Sequence, residues 1–234
     1  MQATTAKSAY WKGFRAGAPF LLVAFPFAML FGVVAVEAGL HLAQVMGFSV
    51  LVIAGAAQYA ALQLMIEDTA IGLVLLAALA VNMRMAMYSA SLVPHLGAAP
   101  LWQRALVSYV NFDQCYMLSI VQYEDEPNWP VDQKIAFFLG VASPLVPVWL
   151  GATVVGAVLG SALPPEFALD FLVPILFLSL VTPALKTLAH VAAALTSAAM
   201  ALALYWMPSG TGLLIAAFSA MCVGAAIETW RDSK

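Results

Sequence analysis

The chain has 234 residues, of which 64% are apolar and 9% charged, with a net charge of −3 and a mean hydropathy of +0.95. Soluble domains carry about 25% charged residues, so this composition excludes an ordinary water-soluble fold, and so small a net charge argues against a nucleic-acid partner. The two cysteines, Cys115 and Cys222, stand in apolar segments and read as small buried hydrophobes rather than a disulfide or a metal pair.

A bilayer-spanning helix takes about 20 residues. The apolar runs predict an all-α integral membrane protein, a single transmembrane domain over 1–234, with about eight transmembrane helices, some broken by Pro or Gly. The first helix is expected over 16–36. Lys7, Lys12 and Arg15 ahead of it, with Val36-Glu37-Ala38 behind, also describe a signal peptide, but the run exceeds the usual apolar region of one and is read as a retained helix. The second is expected over 43–66 and the third over 70–93, ending at Pro94. The fourth, 101–121, is the most polar; if it does not cross, the count falls to seven. The remaining helices are placed at 134–160, 168–186, 188–206 and 211–229. Breakers mark the linkers: Gly97 and Pro100, Pro127 and Pro130, Pro164-Pro165, and Pro208-Ser209-Gly210.

Lys and Arg concentrate in cytoplasmic loops, whereas Asp and Glu contribute little to orientation. Eight spans with the N-terminus inside put Lys7, Lys12, Arg15, Lys134, Lys186, Arg231 and Lys234 on the inner side and leave Arg104 outside, so both termini are expected in the cytoplasm despite the acidic Glu124-Asp125-Glu126 loop.

Small residues let membrane helices approach closely. Gly13 and Gly17, then Ala152, Gly156 and Gly160, form stripes of this kind, and Gly55-Ala56-Ala57 with Ala60-Ala61 is a denser patch. Pro26, Pro144, Pro147, Pro174 and Pro183 fall inside segments, where each removes a helix donor. Discontinuous helices build many transporter sites, although plain kinks explain single prolines equally well. Residues 17–39 and 140–160 share a similar order of Gly and Pro with different spacing, a faint repeat that four helices per half would make parallel.

Ionisable groups within membrane segments mark substrate paths by default. Arg84 lies deep in the third segment, and its planar fork suits a carboxylate, from a substrate or from Asp113 in a purely structural pair. On a regular helix Tyr88 and Ser91 share its face, while Asn82 points the other way. Asp113 is the one acidic residue well inside a segment and the candidate for ion coupling. Tyr109, Asp113 and Tyr116 fall on one face of a continuous fourth helix, Asn111 and Gln114 on another. Gln58 follows the Gly-Ala-Ala patch and could equally be an interhelical hydrogen bond. His41, His95 and His190 show no metal-ligand spacing, and no nucleophile elbow or phosphate loop is present. A cofactor is not expected, and transport without a nucleotide site runs downhill or on a gradient.

Gly55-Ala56-Ala57-Gln58-Tyr59, then Asn82-x-Arg84 with Tyr88 and Ser91-Leu92-x-Pro94, resemble the AzlC family of branched-chain amino acid permeases. Gly17-x-Pro19, Phe31-Gly32 and Ala38-Gly39-Leu40 are similar to its N-terminal pattern. The resemblance covers the N-terminal half well and the C-terminal half mainly in length and hydropathy. It implies a bacterial inner-membrane exporter of leucine, isoleucine or valine that acts with a small AzlD-type membrane subunit. Met85 stands where the family usually has His, and Asp113-Gln114 where it usually has an Asp-Glu pair, so two titratable groups are missing. The candidate substrate-binding residues are Arg84, Asn82, Gln58, Tyr88, Asn111, Asp113 and Gln114. The competing reading is a non-transporting membrane subunit whose buried polar groups hold helices together; an intramembrane enzyme is a distant third.

Overall fold

The structure is a computed structural model, which describes residues 5–162, 185, 187–207 and 211–232. The chain forms two compact units, Met1–Tyr59 with Leu79–Leu163, and Ala60–Ala78 with Pro164–Lys234. Among the described residues the secondary structure is entirely helical, the all-α membrane fold expected. The expected segment 168–186, with Pro174 and Pro183, lies outside the described residues apart from residue 185.

The first unit is built on two long helices. Helices α1 (Ala6–Gly17) and α2 (Leu21–Glu37), joined through a 3-10 turn at Ala18–Phe20, form one rod that starts ten residues before the expected 16. Thr5 caps it by accepting the Ser8 N–H at 3.3 Å, and Ala9, Gly13 and Gly17 supply a buried small-residue stripe along its first half. Helix α8 (Val131–Ala162) packs along it. The contacts are reciprocal. A Cβ at Gly13 would strike the Phe137 carbonyl oxygen, and one at Gly140 the Tyr10 carbonyl oxygen; farther along, Gly32 meets the Thr153 carbonyl and Gly156 that of Met29. Residue numbers rise together on both helices, so they run parallel, and at both crossings each glycine faces the residue three before its counterpart. The glycine stripes read from the sequence are this interface, with Gly32 and Gly140 as added members. Without a hydrophobic drive inside a bilayer, close backbone packing of this kind holds helices together.

Pro26, Pro144 and Pro147 stay inside continuous helices. The chain breaks elsewhere. The second segment is α3 (Leu42–Leu51) and α4 (Gly55–Ile66), and the fourth is α6 (Leu101–Tyr109) and α7 (Asp113–Asp125). In the first break Ile53 takes φ +40°, a left-handed turn ahead of Gly55.

At both breaks the chain folds back. Gln58 donates to Ser49 at 3.0 Å, nine residues earlier; in a continuous helix that separation would rise about 13.5 Å, beyond the reach of the two side chains. Phe31 touches both Phe48 and Tyr59, with ring centroids at 6.1 and 5.5 Å. Segment 42–66 is therefore a helical hairpin that starts from the Glu37 end of the rod and turns back toward it.

The second hairpin packs on the C-terminal half of α5 (Ile71–Leu96). The α6 limb runs antiparallel to it: Leu101, Arg104 and Ser108 face a cavity of about 390 Å³ also lined by Leu96, Val93 and Ser89. The α7 limb runs parallel: Tyr116 stacks on Tyr88 at 4.2 Å, and Tyr123 lies 5.3 Å from His95. Leu101 and Tyr123 thus lie at the same end of α5. Pro94, expected to terminate the third segment, lies within its last turn, where it leaves the Ala90 carbonyl without its helical donor two residues before the helix ends.

This course brings three basic residues of the first unit to one end. Lys12 lies 5.3 Å above the Trp129 ring, Lys134 donates to the Pro127 carbonyl at 3.3 Å, and Arg104 faces Leu96 and Gly97. Arg104, expected on the opposite side from Lys12 and Lys134, joins them because segment 101–125 turns back.

In the second unit, α9 (Leu188–Ala203) and α10 (Thr211–Asp232) pack together, with Gly224 against Ala193. Thr187 caps α9 through the His190 N–H. Cys115 is buried as expected, whereas Cys222 is exposed.

Candidate functional site

The two breaks gather the polar side chains of the first unit. The tips touch: the Tyr109 hydroxyl donates to the Val50 carbonyl at 2.6 Å. A carbonyl at the end of a helix has lost its own amide donor, so Tyr109 caps α3 from the other hairpin. This corrects the expected face on which Tyr109 would share a surface with Asp113 and Tyr116. The break at 110–112 separates them.

At the second break, Arg84 Nη1 contacts Asp113 Oδ2 at 2.9 Å. Asp113 is the first residue of α7, where a helix N-terminus favours negative charge. The pair uses one contact only, and Arg84 Nε and Asp113 Oδ1 are buried without a hydrogen-bond partner. The two side chains are 34% and 38% exposed, a cost in hydrocarbon unless this face meets water, a ligand or another protein. The expected stripe Arg84, Tyr88, Ser91 is matched residue by residue on α7: Asp113 pairs with Arg84, Tyr116 stacks on Tyr88 with an interplanar angle of 7°, and its hydroxyl donates to Ser91 at 3.0 Å.

Asn111 lies in the break itself, fully buried, and donates to Ser89 at 3.2 Å while its Oδ1 has no partner. Asn82 leaves a buried Oδ1 unpaired. Gln114 is half-buried, in the first turn of α7.

At the first break, Gln58 is fully buried and belongs to a chain of hydrogen bonds: Gln58 to Ser49, Ser49 to Thr153 at 3.4 Å, Thr153 to the Trp149 carbonyl at 2.9 Å. Of the seven candidates, Arg84, Tyr88, Asn111 and Asp113 gather around the second break and Gln58 lies at the first. Ser49, Ser89, Thr153 and Trp149 escaped the sequence reading. Ser and Thr are unremarkable inside membrane helices, and only the fold-back places Ser49 beside Gln58.

A family model described as AzlC protein matches residues 19–163, from the 3-10 turn within the first rod to the end of α8. The chain belongs to the AzlC family. The matched stretch of this AzlC protein contains both hairpins and all seven candidate residues. A protein of Archaeoglobus fulgidus, described as an uncharacterized membrane protein, is 28% identical over 246 residues, covering 98% of this chain and 99% of the relative. No solved structure matches the chain.

Proposed function

We propose that this AzlC protein is a secondary transporter that exports branched-chain or similar apolar amino acids across the bacterial inner membrane, together with a small AzlD-type subunit. The observation that carries the reading is the half-used Arg84–Asp113 pair at a helix break. A zwitterionic amino acid brings a carboxylate for the free edge of the guanidinium and an ammonium for the free carboxylate oxygen, replacing one contact with two sets of charge-assisted hydrogen bonds. Half-helix termini pointed at charged groups of a substrate are a recurrent transporter device. Tyr88 and Tyr116 form an apolar wall beside the pair, and Asn111, Asn82, Gln114 and Gln58 supply neutral hydrogen bonds. Asp113 is also the group through which a proton would couple. The family resemblance supplies the substrate class and the partner.

Both termini are assigned to the cytoplasm. The support is the clustering of Lys12, Arg104 and Lys134 at one end of the first unit, which the positive-inside rule makes the cytoplasmic end. The direct ion pair also favours a second reading, in which the charges only lock α5 to α7 in a non-transporting subunit. Efflux of labelled leucine, isoleucine and valine from proteoliposomes containing the chain and its partner decides between them. Efflux above that of the partner alone is the expected result; none from folded protein leaves the subunit reading standing.

A further inference from the structure

The cavity between α5 and α6 lies outside the charged site and opens on the surface of the first unit. Its floor is apolar: Leu92 and Leu96 of α5 and Val107 of α6 are buried, while Val93 and Leu101 stand exposed on its rim. Ser89 and Ser108 line its far end. From Leu101 to Ser108 the α6 wall rises about 10.5 Å. One leaflet of a bilayer's hydrocarbon is about 15 Å deep, half of the full core. The groove therefore has the depth of a single lipid tail, not of a spanning helix.

Two residues mark the end that meets water. Trp102 is exposed beside Leu101, and exposed tryptophan belongs to the headgroup level of a membrane interface. Arg104 lines the cavity and is also exposed. Among the described residues it forms no salt bridge; the one such pair is Arg84 with Asp113. The other two cations at this end are engaged, Lys12 over the Trp129 ring and Lys134 on the Pro127 carbonyl. Arg104 is the cation left for a ligand. Glu124, Asp125 and Glu126 stand at the same end of the unit, but none of them lines the cavity.

A lipid tail that enters the groove exchanges one apolar surrounding for another, so it gains no hydrophobic drive. The groove supplies fit, and selection falls to the headgroup. A guanidinium holds a phosphate through two parallel hydrogen bonds. A zwitterionic headgroup also brings an ammonium, for which the cavity wall offers no carboxylate; an anionic one brings none. Basic pockets between membrane helices on the cytoplasmic side recur as sites for anionic headgroups.

We infer that the groove between α5 and α6 binds an anionic phospholipid of the surrounding bilayer, with one acyl chain along Leu92, Leu96 and Val107 and the phosphate on Arg104. The site is separate from Arg84 and Asp113, and the inference does not rest on the transport reading.

The test uses the full-length chain purified in detergent and incubated with equal amounts of phosphatidylglycerol and phosphatidylcholine that carry the same acyl chains. Native mass spectrometry then reads the lipid retained. Phosphatidylglycerol should be retained over phosphatidylcholine by about fivefold or more, the increment one basic group gives near an anionic surface. Arg104→Gln should erase the preference. Arg104→Lys should keep most of it, because a point charge still attracts phosphate. Ala105→Trp puts an indole into the groove from its α6 wall and should displace the phosphatidylglycerol retained in excess. Arg104 is exposed, so its variants carry the test even where Ala105→Trp does not fold. Equal retention of the two lipids would overturn the site, as would a preference that Arg104→Gln leaves unchanged. Cross-linking of another polypeptide to Ser108→Cys in native membranes, with no lipid retained, would assign the groove to a protein and overturn it too.

Discussion

The two hairpins, Leu42–Ile66 and Leu101–Asp125, are built to one plan and equipped for opposite chemistry. They are equally long, follow their preceding long helix after a connector of the same length, and break over three residues at 52–54 and 110–112. Each lays a tyrosine of its second limb against an aromatic ring of the preceding helix, Tyr59 on Phe31 and Tyr116 on Tyr88. Each carries a buried amide that donates to a serine and keeps a bare oxygen, Gln58 to Ser49 and Asn111 to Ser89. They enter from opposite ends of the unit, as an inverted pair would, and meet at Tyr109 and Val50. The difference lies at the start of the second limb. α7 opens on Asp113, facing Arg84. α4 opens on Gly55, and a Cβ there would come within 2.7 Å of the Trp149 ring and closer still to that of Phe27. One plan thus yields a charged, partly exposed break and a neutral one closed by aromatic rings.

The largest expected effect comes from removing the scaffold that holds both hairpins. Gly156→Leu places a side chain on the Met29 backbone, where even a Cβ has no room. Separating the two parallel helices forfeits their packing, and in a bilayer packing is most of what binds them. No folded protein should be recovered on size-exclusion chromatography. Gly151→Leu, where a Cβ meets nothing within 4 Å, should leave the elution profile as it is.

Next in size is the charged pair. Arg84→Met should abolish efflux, and Arg84→Lys should reduce it by about 10²-fold or more, since Lys keeps the charge and loses the fork that addresses two carboxylates at once. The Arg84→Met/Asp113→Asn double variant separates binding from scaffolding. Expressed well and inactive, it assigns Arg84 to the substrate; expressed well and active, it reduces the pair to a structural tie. Corresponding changes at Gln58 should weaken rather than abolish efflux.

Much of this contrast was legible in the sequence, but not its geometry. Arg84, Asp113, Tyr88 and Ser91 were found because charge and 3.6-residue spacing are local signals, and α5 is a regular helix through all three of its contributors. The glycine stripes were legible for the same reason. The breaks were not, because proline was the natural suspect: Pro26, Pro144 and Pro147 stay within helices, while the chain turns at Val52-Ile53-Ala54 and Val110-Asn111-Phe112, apolar or neutral runs with no local signature. The structure explains the turns by what receives the freed groups: Tyr109 from one hairpin caps Val50 of the other. That partner is 59 residues away in sequence, and no window sees it. A hairpin also spends a full segment without changing sides, so Arg104 could be assigned to the wrong end while its own segment was correctly read as helical.

The smallest expected effect, and the sharpest probe of the comparison, is Tyr109→Phe. The ring stays and one hydrogen bond is lost, about 1 kcal/mol in stability, so the variant should fold and bind substrate nearly as well as the parent. What it removes is the hydrogen bond that joins the two tips, the direct link between the charged break and the neutral one. If a change in one hairpin reaches the other through this bond, Gln58→Leu should weaken leucine binding in the parent and leave it unchanged in Tyr109→Phe. Measured by isothermal titration, a loss of leucine affinity on Gln58→Leu that survives Tyr109→Phe would show that the breaks communicate through the long helices instead. No loss in the parent would mean that two hairpins of one design act independently, coupled in structure but not in energy.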